Sequence, residues 1–272
     1  MQTQLFEAFQ RLAYREAGIA LRDNKGALVA ARIAKRVRDL GLADAREYLS
    51  YLEADRGGQE MVQFLDAITT NFTSFFRESD HFEFLKQEAA AWVASGVAEV
   101  RIWCAAAATG EEPYTLGMVL SEALHGSAVG FRILATDIST RALAFAAEGR
   151  YPHSRLAQIP RALRSRYFDV DVSRPRAEAE YKVVPSLRER IVFKRLNLAN
   201  PPFPLRGGLD AVFCRNVMIY FDTPVRQRLV GEIERLLRPG APLVVAHSET
   251  LGGARGNLET LSSSVYRKRA AE

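Results

Sequence analysis

The stretch from Arg101 to Leu120, RIWCAAAATGEEPYTLGMVL, does most to limit what this chain can become. Val100, Ile102 and Trp103 make a β-branched and aromatic run, small residues follow, and Thr109-Gly110 closes the series. Glu111-Glu112-Pro113 then lead into an apolar-periodic segment with Tyr114, Leu116, Val119 and Leu120. That order spells strand, tight turn and helix start, with acids and proline where helix N-termini favour them. In open α/β sheets the ligand crevice lies beyond the carboxyl end of such a strand. Ala105 to Ala108 let a ligand come close to the backbone. The turn has only Gly110, so it is no G-x-G-x-x-G, and it lacks the Lys-Ser/Thr pair of a P-loop. Two carboxylates at this place argue against a phosphate-rich ligand and suit one with hydroxyls or a cationic group.

From about residue 99 strands alternate with helices, the pattern of a doubly wound α/β sheet. The first strand is Glu99 to Cys104, with a helix from about Glu112 to Leu124. The second, Phe131 to Thr136, ends at Asp137, where nucleotide-binding units place the carboxylate that accepts ribose hydroxyls. A helix from Thr140 to Glu148 follows. Tyr151 to about Pro185 breaks the alternation and reads as a small antiparallel excursion around the polar turn SRPRAEAE. Strands resume at Ile191–Leu196 and Ala211–Cys214, ending in Asn197-Leu198 and Arg215-Asn216, with Tyr220 just beyond. Asp222-Thr223-Pro224 opens a helix that Pro239-Gly240 stops. Leu243–Ala246 and Ser264–Arg267 are the last strands expected.

Residues 1–70 read as helices only. On the helix that ends near Gly41, Arg32, Lys35 and Arg36 are expected on one exposed side at i, i+3, i+4. The segment 71–95 contains NFTSFFRESDHFEFL, with phenylalanines crowded around Thr73 and Arg77 and Ser79 as a helix cap. It is expected to join the helical part to the sheet and to lid the crevice. The remainder, 96–272, is the sheet domain, with its insertion at about 152–190.

The chain has 272 residues, 48% of them hydrophobic and 25% charged, which gives no indication of disorder and allows one large domain or a catalytic domain beside a small helical one. The net charge of +5 points to an acidic partner without choosing its class. No apolar run reaches membrane-spanning length and the first ten residues are too polar for a signal peptide, so a cytoplasmic protein is expected. Cys104 and Cys214 fall in strands without metal-ligand spacing and are read as core thiols. His81, His125, His153 and His247 fit no motif, and no metal is expected.

NFTSFFR, CAAAATGEEPYTL and FCRNVMIYFD together resemble the chemotaxis receptor methyltransferases, the CheR family, with support from ATDIS and AHSETL. The resemblance covers about residues 10 to 268. It implies a Rossmann-like methyltransferase sheet with an N-terminal all-α domain and a β-subdomain, and S-adenosylmethionine as cofactor. It implies methyl transfer to glutamate carboxylates of chemoreceptors, leaving S-adenosylhomocysteine. Asn71, Thr73 and Arg77 are then expected over the cofactor, Ala106 and Glu112 at the first turn, and Asp137 on the ribose. Asn197, Leu198, Arg215 and Asn216 are expected around the adenine end. Tyr220 is expected near the sulfonium methyl, where it and Arg77 orient the acceptor as the catalytic pair. Ala108 stands where the family has serine. Arg32, Lys35 and Arg36 become docking residues for acid-rich methylation helices, and the β-subdomain a grip for a receptor's C-terminal peptide, as in some members. An ionised glutamate (pKa about 4.3) needs no general base, so no His-Asp or Cys-His pair is called for. A monomeric, stand-alone enzyme is expected, with no nucleic acid and no membrane insertion. Two rivals are a nucleic-acid methyltransferase, which the basic charge favours, and a scaffold that binds the cofactor without catalysis.

Overall fold

The computed structural model describes residues 3–21, 26–55, 57–69, 72–170 and 179–270. Four helices come first: α1 (Thr3–Ala17), α2 (Gly26–Asp39), α3 (Ala45–Ala54) and α4 (Gln59–Ile68). Each has an apolar stripe at helical spacing. Phe9 and Leu12, Val29 and Ile33, Tyr48 and Leu52, and Phe64 and Leu65 from these stripes close a core of their own. Asp44 caps α3 by accepting the N–H groups of Arg46 and Glu47.

Next comes α5 (Asp80–Ser95), whose buried Phe82, Leu85, Ala89 and Trp92 belong to the core of the sheet domain. The segment expected as linker and lid therefore divides. Residues 72–79 form a loop beside the crevice, and α5 is a layer of the sheet domain.

The alternation then runs β1 (Glu99–Cys104), α6 (Glu111–Ala123), β2 (Gly130–Asp137) and α7 (Thr140–Glu148). The insertion holds β3 (Arg150–Pro152), α8 (Arg161–Tyr167), β4 (Phe168–Val170), β5 (Glu180–Val183) and the single turn α9 (Pro185–Arg188). The chain returns through β6 (Ile191–Arg195), β7 (Ala211–Phe213), α10 (Thr223–Leu236), β8 (Pro242–Val244), β9 (Leu258–Thr260) and β10 (Val265–Lys268). Asp222 caps α10 through the N–H of Val225, as its Asp-Thr-Pro start requires.

The main sheet has the order β6-β2-β1-β7-β8-β10-β9. Its first five strands are parallel, and β10 runs antiparallel to both β8 and β9. Strand order reverses between β1 and β7, so their outgoing loops part and open a crevice at the carboxyl ends. The short β9 was not expected: only Leu258 of its three residues is buried, too little for a pattern. A separate antiparallel sheet, β3-β5-β4, forms the insertion. Most of its polar SRPRAEAE turn lies outside the described residues.

Two glycines fix how the parts meet. Gly110 has φ 97°, and a Cβ there would stand 2.7 Å from the Tyr151 hydroxyl and 2.8 Å from Ala146 Cβ. The start of α6 is thus pressed under the insertion, a fit only glycine allows. Gly18, at φ 66°, would bring a Cβ within 2.6 Å of Ala199 Cβ. Beside it Asn197 Nδ2 donates to the Glu16 carbonyl at 2.7 Å, and the Ala20 N–H donates to the Tyr220 carbonyl at 2.9 Å. These contacts fasten the helical domain onto the loops at the crevice.

Candidate active site

The crevice beyond β1 and β7 deepens into a cavity of about 520 Å³, walled by both domains. Its floor is the β1–α6 turn, where Ala105, Ala106 and Ala108 leave room against the backbone. Asp137, at the end of β2, accepts the Ala108 N–H through Oδ2 at 2.8 Å and the Ser139 N–H through Oδ1 at 2.9 Å. Those donors aim the carboxylate, and each oxygen keeps acceptor capacity for a ligand hydroxyl. Burial raises the Asp137 pKa above its ordinary value, against the lowering effect of the backbone donors. Ala108 holds φ 45°, in the left-handed region, and lines the cavity.

One wall is buried charge. Arg215 is 3% exposed and donates to Glu112 Oε2 at 2.6 Å, to Glu78 Oε2 at 3.1 Å and to the Arg77 carbonyl at 2.5 Å. Glu112 also accepts from the Cys104 thiol at 3.3 Å. Burial raises the Glu112 pKa, and Arg215 opposes that shift. The sequence reading grouped Arg215 with Asn216 and gave Glu112 a bare negative charge. In the fold Arg215 turns to Glu112, so the two largely cancel and the guanidinium holds the 72–79 loop by its backbone. The neighbouring acid Glu111 faces the insertion, where Arg155 Nη1 lies 2.5 Å from it.

The exit of β7 carries Asn216 and Tyr220. Asn216 has φ 58°, and its N–H donates to Glu249 Oε2 at 2.9 Å. Glu249 is 5% exposed and also accepts the N–H groups of Ala246 at 3.0 Å and Ile219 at 3.3 Å. One buried carboxylate thus clamps the turn that presents Tyr220. Across the cavity, Leu198 is buried and Asn197 is committed to Glu16 and to the Ala199 N–H. The roof comes from Ile19, Leu28, Val29 and Ile68 of the helical domain. At the mouth Arg77 donates to the Phe72 carbonyl at 3.0 Å and stacks on the Phe72 ring, which is 76% exposed. The Tyr220 hydroxyl makes no hydrogen bond among the described residues.

Ten of the residues singled out from the sequence line this one cavity: Thr73, Arg77, Ala106, Glu112, Asp137, Asn197, Leu198, Arg215, Asn216 and Tyr220. Asn71 lies outside the described residues. Glu78, Phe72 and Glu249 were missed; Glu249 sits in AHSETL, a string that carried no reading of its own.

Arg32, Lys35 and Arg36 do not share an exposed side. Arg32 donates to the Ile68 and Thr69 carbonyls at 3.0 and 2.8 Å, satisfying the C-terminal end of α4. Arg36 makes a two-pronged pair with Glu60 at 2.9 and 2.7 Å, and Tyr48 shares that carboxylate. Only Lys35 points to solvent, paired with Asp39 at 2.9 Å. Positions i and i+4 fall on the flank facing α4, where a buried acid and free carbonyls draw both guanidinium groups inward.

A parallel sheet with an antiparallel β10, a buried carboxylate at the end of β2 and no phosphate-gripping turn suit an S-adenosylmethionine-dependent methyltransferase. The comparisons narrow the class. The family description "CheR methyltransferase, SAM binding domain" matches residues 71–267, and "CheR methyltransferase, all-alpha domain" matches residues 4–69. The chain is 39% identical over 261 residues to chemotaxis protein methyltransferase 2 of Pseudomonas aeruginosa, covering 96% of this chain and 91% of that protein. It is 38% identical over 262 residues to the chemotaxis protein methyltransferase of Escherichia coli, covering 96% and 89%. It is 36% identical over 265 residues to that of Borreliella burgdorferi, covering 95% and 92%. The chain belongs to the CheR methyltransferase family. No helix among the described residues is long and apolar enough to cross a membrane.

Proposed function

We propose that this chain methylates glutamate side chains on the signalling helices of chemoreceptors, with Arg77 and Tyr220 orienting the acceptor. The observation that carries this reading is the single cavity with Asp137 on its floor and Arg77 and Tyr220 at its mouth. The donor set fits the cofactor: a buried acceptor carboxylate for ribose hydroxyls, small residues beside it, and no cluster of phosphate-binding cations. Bound there, S-adenosylmethionine supplies an electrophilic methyl group on a sulfonium. Asp137 holds the ribose, Ala106 lets the ligand sit against the turn, and Asn197, Leu198 and Asn216 bound the adenine end. Thr73 covers it from the loop. Glu112 and Arg215 form the wall on the methionine side.

The chain's own work is positioning and exclusion of water. Arg77 offers a cation and Tyr220 a hydroxyl to the entering carboxylate, while Phe72, Ile219 and Leu28 surround the mouth with apolar surface. Among the described residues, no imidazole or thiol lines the cavity, and an ionised acceptor requires neither. A monomer is part of the same reading. Lys35 remains available to meet an acid-rich helix, and β3 and β4 are edges of the inserted sheet, suited to strand addition by a receptor peptide. Action in the cytoplasm is part of the same reading.

The test is transfer of label from tritiated S-adenosylmethionine to a receptor signalling fragment, followed by mild alkali. Volatile methanol is expected, because carboxyl methyl esters hydrolyse. Alkali-stable label, or label on RNA in preference to the receptor, overturns the reading. Cofactor binding with no transfer to any receptor would favour the scaffold.

A further inference from the structure

Behind the charged wall, outside the cavity, Glu78 and His81 of the loop–α5 junction meet His247 from the segment after β8. One nitrogen of each imidazole and one oxygen of Glu78 all lie within 4.8 Å of one another. His81 is 1% exposed, and its Nδ1 has no hydrogen-bond partner. That atom stands 3.5 Å from Glu78 Oε2. In a tetrahedral site with bonds of about 2.0–2.2 Å, ligand atoms stand about 3.4 Å apart, so this pair is already at ligand spacing. An orphaned buried nitrogen carries a desolvation penalty that a coordinated ion would remove.

The outer contacts match those of imidazole ligands. His81 Nε2 lies 2.8 Å from Ser264 Oγ, and His247 Nε2 lies 2.8 Å from Asp80 Oδ2. With Nε2 of each ring donating to those oxygens, Nδ1 carries the lone pair, as in carboxylate–histidine–metal arrangements. Arg215 and the His247 backbone N–H already donate to Glu78 Oε2 at 3.1 and 3.3 Å, so an ion would share that oxygen with them; Arg215 is also neutralised by Glu112, and Asp80 adds a further negative charge. The His247 side chain is half exposed and borders a shallow surface hollow, which gives an ion a way in.

We propose that Glu78, His81 and His247 form a binding site for a divalent cation of the zinc class, which fastens the loop before α5 to the segment after β8. Two imidazoles and one carboxylate are a borderline nitrogen–oxygen set suited to zinc, with a fourth position left for water. The half-exposed His247 is the ligand free to close the last distance. The site would lock Glu78, and through it Arg215, from the side away from the cavity. None of this depends on which acceptor is methylated.

The experiment is calorimetric titration of zinc chloride into the full metal-free chain, with cobalt(II) as a spectroscopic probe. One equivalent is expected to bind, and cobalt should give the visible absorption of a tetrahedral site. His247→Ala, at a half-exposed position and checked for folding by circular dichroism, is expected to weaken zinc at least tenfold. His247→Cys restores a zinc ligand at the same place and is expected to recover affinity, which a merely structural role would not produce. Absence of saturable binding by the native chain overturns the proposal. So does binding that is unchanged in His247→Ala.

Discussion

Two groups of arginine and carboxylate side chains, one around the cavity and one on α2, look alike as sequence and behave differently in the fold. Around the cavity, Arg215, Glu112 and Glu78 are drawn out of water and answer one another at hydrogen-bond distance. On α2, Arg32 and Arg36 close the end of α4 and a half-buried pair with Glu60, and Lys35 stays in solvent. The difference teaches that spacing on a helix tells which residues share a side, whereas the neighbour packed on that side decides whether their charge is available.

The sharpest way to break this contrast is at the buried member. Arg215→Ala leaves Glu112 buried without its counter-ion and is expected to destabilise the fold by about 3–5 kcal/mol, measured by denaturant unfolding. Arg215→Met combined with Glu112→Gln should recover part of that loss; no recovery would mean that the pair is not the source of the cost. A smaller effect is expected from Asp137→Ala, which on the proposed reading removes acceptors for ribose hydroxyls at about 1.5–3 kcal/mol per hydrogen bond to a charged group. Calorimetry should then show cofactor affinity falling at least tenfold. Because burial raises the Asp137 pKa, the carboxylate gains its proton at a pH above the ordinary 3.8. Wild-type affinity should therefore decline with falling pH from above that value, and a titration of Asp137→Asn should lack this limb.

On α2 the expected effects shrink further. Arg36→Ala strands a buried Glu60 that, among the described residues, keeps its bond from Tyr48, and should lower stability by about 1–3 kcal/mol. Lys35→Ala should leave stability within about 0.5 kcal/mol. It should nevertheless weaken receptor methylation at low salt, with the difference vanishing once the Debye length falls well below about 10 Å. Equal loss of stability in the two variants would erase the distinction between them.

The parts legible in the sequence are those set by local order. The strand, small residues, Gly110 and acids after it placed the floor of the cavity, and Asp137 followed from the end of the next strand. Asp222-Thr223-Pro224 gave the start of α10 to the residue. What stayed hidden depends on distant partners. Nothing near Arg215 announces Glu112 and Glu78 as its neighbours, more than a hundred positions away. Glu249 reads as an ordinary acid until three backbone N–H groups from two loops converge on it. The helix α5 read as a connector because its stripe of Phe82, Leu85, Ala89 and Trp92 does not say which core receives it.

Asn197 bonded to Glu16, Ala20 bonded to Tyr220 and Gly18 pressed on Ala199 bear on how such proteins can be taken apart. Sequence matching divides the chain between residues 69 and 71, as though two modules had been joined. The cavity ignores that seam, since Ile19, Leu28 and Ile68 close it from one side and Asp137 and Tyr220 from the other. A piece starting at the seam would keep the whole sheet and lose the roof. Exchange between relatives would have to move both halves together, because the heritable unit here is the joint itself.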